Sequence, residues 1–364
     1  DNTPRLSWAT ASDALSGVCH YEVQVDNDAN FGSPENTGMT TSTNYTVGNE
    51  LKEGTQYWRV RAKDRAGNTG AWENDWFRID VTSPGKPSLI SPENNKVDNR
   101  FDQTFTWTKP EAGLTFHIQI DNEPSFAPPY VHDNSAVADN LYTYTLAVDG
   151  FYYWRVRARD AANNWGPWSD NFKLTIDTAP PSIPTLIAYT PDPTNDDTPT
   201  LNWNSVADAF CYRIQIDDNS NFSSTIVDDN FITITTFTPA SALPNGIIYW
   251  HVAARDAANN WSGFSSADNF VVDTQPPSKP TLVAPENNKL DNKFEQTFTW
   301  TKPTDNLSSI SNYHIQIDNE SSFAAPFVFE STTLTNNTYT YTFSTDGAYY
   351  WRVQAKDNAG NWGA

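Results

Sequence analysis

The tetrapeptide Tyr-Trp-Arg-Val stands at residues 57–60 and 153–156, recurs as Tyr-Trp-His-Val at 249–252, and returns unchanged at 350–353. Its tryptophans, Trp58, Trp154, Trp250 and Trp351, are 96, 96 and 101 residues apart. A second tryptophan keeps the same step at Trp8, Trp107, Trp203 and Trp300, with intervals of 99, 96 and 97. A third marker is an alternating hexapeptide: YEVQVD from Tyr21, FHIQID from Phe116, YRIQID from Tyr212 and YHIQID from Tyr313. Three markers on one period define an internal repeat. The period is too long for a solenoid and suits a whole β-sandwich of roughly 100 residues. The markers predict an all-β chain of four tandem sandwiches in an elongated rod, over 1–82, 83–178, 179–275 and 276–364.

Within each period, short alternating runs are separated by Asn, Asp, Gly and Pro, and no helical spacing is sustained. In the second repeat, strands are expected over 101–107, 116–121, 142–146, 152–159 and 172–176. The abundance of Thr, Asn, Asp and Pro favours strands and turns in the same way. Each of the first three repeats ends in a proline-bearing joint, VTSPGKPSL from Val81, DTAPPSIPTL from Asp177 and DTQPPSKPTL from Asp273. Short proline-rich joints are stiff, which is why a rod is expected.

A longer period overlies the first. The second and fourth repeats share DNRFDQTFTWTKP at 98–110 and DNKFEQTFTWTKP at 291–303. The third has PDPTNDDTPTLNW at 191–203, to which the start of the chain is closer, so the array reads A-B-A-B. The loop from the early tryptophan to the hexapeptide breaks this scheme, being 13, 9, 9 and 13 residues along the chain. By alignment the first repeat lacks its first strand and the fourth its last. The chain is expected to find those strands in continuing repeats or in other copies of itself.

The order of early core Trp, Y-x-V/I-Q-V/I-D, Y-W-R-V-x-A-x-D-x-A-x-N and D-T-x-P-P linker resembles fibronectin type III-like and bacterial Ig-like repeats of prokaryotic cell surfaces. That resemblance spans nearly the whole chain and implies an extracellular or cell-surface location. It says little about activity, because such sandwiches are reused for many purposes. The net charge of −21 excludes nucleic acid as a partner, since phosphate binding needs a basic surface. No apolar run approaches membrane-spanning length. Nothing at the N-terminus reads as a signal peptide, a feature a trimmed secreted chain would share. Cys19 and Cys211 fall in different, non-neighbouring repeats and are expected to be free thiols.

Alternation along 152–159 places Tyr152, Trp154, Val156 and Ala158 inward, and Tyr153, Arg155, Arg157 and Arg159 outward. After the next turn comes NWGPWS at 164–169, which resembles the W-S-x-W-S element of cytokine-receptor domains. The resemblance implies a ladder in which Trp165 and Trp168 stack on Arg155 and Arg157, with Trp261 and Phe264 as partial equivalents. The first repeat keeps Trp72 but has Thr69 at the other position. The competing reading of these rings is a platform for sugars.

The turn D-x-A-x-N recurs at 64–68, 160–164, 256–260 and 357–361. It is expected to be held by its Asp accepting backbone N–H groups. Calcium is the one cofactor the pattern allows, with Asp160, Asp217, Asp218 and Asp256 as candidate ligands. Sequons at Asn44, Asn221, Asn260, Asn306, Asn319 and Asn336 are candidate glycosylation sites. His117 and His314 share one outward position, while His20, His132 and His251 look scattered. No HExxH, GxSxG, CxxC or phosphate loop is present, and a non-enzymatic chain is expected. The leading reading is a structural protein of a surface filament, layer or stalk. The alternative is an adhesin or carbohydrate-binding array attached to a secreted enzyme, with surface glycans as partners.

Overall fold

The computed structural model describes residues 2–364, and all of its regular elements are β-strands. The chain divides into two compact units, Asp1–Ile176 and Asp177–Ala364. Each unit contains two separate hydrophobic cores, so four sandwiches are present. No helix is long and apolar enough to cross a membrane.

The second repeat shows the plan most fully. His132–Val137, Thr115–Asp121, Gly150–Arg159, Phe172–Ile176 and Lys96–Asp98 form a five-stranded sheet, the last strand joining in parallel. Leu141–Thr145, Asp102–Trp107 and Leu89–Ser91 form the facing sheet. Strict alternation sends Tyr152, Trp154, Val156 and Ala158 into the space between them, where none is more than 5% exposed. Phe105 meets Trp154 edge-on at 5.1 Å, and Trp107 meets Phe116 at 5.5 Å, so large rings fill the core at a favourable geometry. The second contact recurs as Trp8–Tyr21, Trp203–Tyr212 and Trp300–Tyr313, at 5.4, 5.5 and 5.3 Å. The early tryptophan and the first residue of the hexapeptide are one contact between sheets, repeated four times.

The other repeats vary at their edges. The first has Asn36–Thr40, Val18–Asp26, Gly54–Asp64 and Glu73–Ile79 in one sheet, and Arg5–Ser7 paired with Asn44–Thr46 in the other. The third has Val227–Ile232, Cys211–Asp217, Gly246–Arg255 and Asp268–Val272 opposite Leu186–Ile187, Leu201–Trp203 and Thr236–Phe237. In the fourth, Phe329–Leu334, Ile310–Asp318 and Tyr350–Asp357 face Leu282–Ala284, Glu295–Trp300 and Thr338–Thr342.

Three strands of the second repeat escape the alternation pattern: Leu89–Ser91, Lys96–Asp98 and His132–Val137. All three lie at sheet edges, where a strand pairs on one side only and packs few side chains inward. His132–Val137 also contains a bulge, between Asn134 and Val137 opposite Phe116 to Ile118, which breaks the period of two. Cys19 is exposed, Cys211 is buried, and both are free.

Candidate functional site: a stacked ladder and a linker lock

The outer face of Gly150–Arg159 carries the first candidate site. The segment after the D-x-A-x-N turn folds back along this strand: Gly166 N–H donates to the Ala158 carbonyl at 2.9 Å, and Ser169 N–H to that of Val156 at 2.8 Å. Val156 N–H in turn donates to Ser169 Oγ at 3.0 Å. This pairing lays Trp165 and Trp168 over the arginines. Arg155 lies 4.4 Å from the Trp168 ring centre, Arg157 lies 4.6 Å from Trp168 and 4.4 Å from Trp165, and Arg159 caps Trp165 at 5.0 Å. A ring outside the sequence reading completes the stack: Phe126, at φ 52°, sits 4.1 Å from Arg155.

The same phenylalanine, always with positive φ, recurs as Phe31, Phe222 and Phe323. Arg59 lies between Phe31 and Trp72, at 4.2 and 4.5 Å, and Arg352 lies 4.3 Å from Phe323. In the third repeat the arginine is replaced by His251, stacked between Phe222 and Phe264 at 3.7 and 3.9 Å. His251 therefore belongs to the ladder, which corrects its reading as a scattered histidine. Burial, with the Arg213 charge adding to it, pulls its pKa down to about 4, so the ring is neutral. Trp261 meets Arg255 at 5.3 Å, and Trp362 meets Lys356 at 5.6 Å.

A glutamine orients each first rung. Gln119 Oε1 accepts from Arg155 Nε at 2.9 Å and Nη2 at 2.7 Å. Gln24 accepts from Arg59 at 2.8 Å and Gln316 from Arg352 at 2.7 Å, while Gln215 meets His251 at 2.8 Å. This is the invariant Q of the hexapeptide, a signal present in the sequence that alternation alone does not interpret. His117 is on the outer face as expected, but Trp165 and Trp168 cover it and leave it 7% exposed. Arg157 Nε donates to His117 Nδ1 at 3.3 Å, so the imidazole proton is on Nε2, 2.5 Å from Asp133. Burial holds the His117 pKa below its ordinary value despite that carboxylate.

The D-x-A-x-N turn forms the second candidate site. Asp160 Oδ1 accepts from Asn164 N–H at 2.8 Å, and its Oδ2 accepts from Asn164 Nδ2 at 2.9 Å. The same amide donates to the carbonyl of Asp80, in the linker between the first and second repeats, at 2.9 Å. Burial raises the Asp160 pKa and these bonds lower it, with a net fall. Asn260 repeats the pattern, donating to Asp256 Oδ2 at 2.8 Å and to the Asp177 carbonyl at 2.7 Å. Asn361 does so with Asp357 Oδ2 at 2.8 Å and the Asp273 carbonyl at 2.7 Å. A Cβ on Gly166 would collide with the Pro84 carbonyl, and one on Gly363 would come within 2.6 Å of Pro277 O. The final asparagine of the turn is thus a linker lock.

The proposed calcium ligands lie apart. Asp160 and Asp256 accept hydrogen bonds within their own turns, as Asp357 does, but among the described residues neither joins two further carboxylates. Asp217 is buried and Asp218 exposed. Among the described residues neither belongs to a group of three converging carboxylates, and such a group forms elsewhere. Asn260 is no free glycan acceptor, because its amide is engaged in the lock. Asn221, Asn306, Asn319 and Asn336 are exposed, and Asn44 is half-buried.

Fold and ladder together define a class, the tandem Ig-like and fibronectin type III-like β-sandwich. Residues 1–82 match the family model of the Rha78A-like N-terminal immunoglobulin domain. A stretch of 195 residues is 30% identical to Chitinase A1 of Niallia circulans, covering 51% of this chain and 25% of the chitinase. The chain is therefore similar to about a quarter of that protein's length. Among solved structures, the FN1–FN3 domains of chicken CNTN1 are 16% identical, with a TM-score of 0.35 over 75% of this chain and 94% of that one. The fibronectin(III)-like modules of Clostridium thermocellum CbhA are 14% identical, with a TM-score of 0.33 over 52% and 95%.

Proposed function

We propose that the chain is a non-enzymatic extracellular structural protein, an array of sandwiches with locked linkers that serves as scaffold in a surface filament, layer or stalk. The observation that carries this reading is the Asn lock, built alike at Asn164, Asn260 and Asn361. Each fixes the linker entering its repeat through a half-buried asparagine, a role that needs no ligand. The ladder supports the same reading. Trp165 and Trp168 present their faces to guanidinium groups, whereas a sugar platform needs those faces open. Acidic charge adds mutual repulsion that keeps such a surface free of non-specific association.

A second reading is favoured by the match to Chitinase A1 of Niallia circulans: the same array acting as a spacer or carbohydrate-binding part of a secreted enzyme. The two separate in a pull-down with insoluble chitin and cellulose. The scaffold reading expects the protein to stay in the supernatant and release no soluble sugar. Retention abolished by Trp76→Ala, the most exposed tryptophan at 62%, would replace it with the second reading.

A further inference from the structure

One carboxylate oxygen from each of Asp273, Asp305 and Asp357 lies within 4.8 Å of the other two. The three come from different segments of the second unit: the linker after Asp268–Val272, the loop after Glu295–Trp300 and the last residue of Tyr350–Asp357. None takes part in an ion pair among the described residues. Asp273 is fully buried; its Oδ1 accepts from Gln275 N–H at 3.0 Å, and its Oδ2 is buried with no hydrogen-bond partner. A desolvated carboxylate oxygen without a donor, beside two further carboxylates, is stabilised by a bound cation and without one is driven toward protonation. Asp26, Asp121, Asp217 and Asp318 also bury one unpaired oxygen, but none of them joins a group of three among the described residues.

The surrounding framework is built before any ion arrives. Asp305 Oδ1 accepts from the N–H groups of Leu307, Ser308 and Ser309, at 3.1, 2.7 and 2.9 Å. Thr304 N–H donates to Ser278 Oγ at 2.8 Å, which ties the loop to the linker. Asn358 Nδ2 donates to the Ser308 carbonyl at 2.6 Å, which ties it to the turn. The linker aspartates at the equivalent places, Asp80 and Asp177, are only half-buried. The difference is the 13-residue loop, which the second and third repeats lack and which brings Asp305 over the linker.

We propose that Asp273, Asp305 and Asp357 bind one divalent cation of the calcium class, joining the linker to the fourth repeat. An all-carboxylate donor set suits a hard cation and excludes the thiolate and imidazole chemistry of zinc sites. Calcium tolerates the irregular geometry of three chain segments, whereas magnesium demands a near-ideal octahedron. This site adjoins the lock at Asn361, which uses the backbone carbonyl of Asp273 and the Oδ2 of Asp357, and it does not depend on the scaffold reading.

The test is calorimetric titration of the chelator-treated full chain with CaCl₂ and with MgCl₂. Calcium should give one saturable site, with a dissociation constant of about 10⁻⁴–10⁻³ M, as in extracellular modules. Asp305→Asn, whose Oδ1 can still accept the three N–H bonds, should keep the circular dichroism of the parent and lose at least tenfold in affinity. Asp13→Asn, in the equivalent loop of the first repeat, should bind as the parent does. The proposal is overturned by no saturable calcium heat up to about 10 mM, by equal affinity for magnesium, or by unchanged binding in a folded Asp305→Asn.

Discussion

Core rings and ladder rings carry different energetic weights. Trp154 is a core residue with no exposure, so Trp154→Ala should cost about 3–5 kcal/mol and unfold its repeat near room temperature. Trp168 sits half-buried between two guanidinium groups, and Trp168→Ala should cost about 1–3 kcal/mol, read as a lower midpoint in urea. His251 makes the third repeat sensitive to acid. Its folded pKa of about 4 lies below the ordinary 6.5, so the unfolded chain takes up a proton first as pH falls. The stability it supports is full above about 6.5 and is lost progressively down to about 4. His251→Arg restores the residue used in the other repeats. In calorimetric scans at several pH values, it should flatten the decline of the third repeat's transition across that window.

At the scale of elements, the turn is a junction device. Asn164→Ala removes the donor to Asp80 and leaves Asp160 Oδ2 without its partner, at a cost of about 1–3 kcal/mol. The effect is local. Hydrogen exchange and proteolysis should rise at linker residues 80–86, while the exchange of core amides in Gly150–Arg159 stays as in the parent. Gly166→Ala should give the same signature by a different route, because its Cβ displaces the Pro84 backbone. A rise spread over the whole second repeat would instead mean that the turn supports the sandwich and not the linker. The turn was readable as a motif, and its Asp-to-backbone bonds follow from local chemistry. That its Asn reaches a carbonyl more than 80 residues earlier depends on where the linker runs.

For the molecule as a whole, the sequence determined the period, the four cores and the inward faces. Alternation has a period of two and acts within a single strand, so Trp154 and Val156 point inward wherever the strand is placed. The same rule placed Arg155 and Arg157 outward, and the Trp motif supplied ring partners. It left Phe126 and Phe222 outside the ladder, because these rings arrive from turns whose course no periodicity encodes, and it left out His251, outward on Gly246–Arg255, because its stacking partner Phe222 comes from such a turn. Edge strands such as His132–Val137 stayed hidden for a related reason, since half-paired strands carry little apolar pattern. Asp273, Asp305 and Asp357 belong to three segments with no shared spacing, and only packing brings their oxygens within 4.8 Å. The repeating tryptophans thus fix what is buried within each sandwich. Which polar groups meet across a linker is decided by tertiary structure, because convergence of distant loops depends on how the sandwiches are joined.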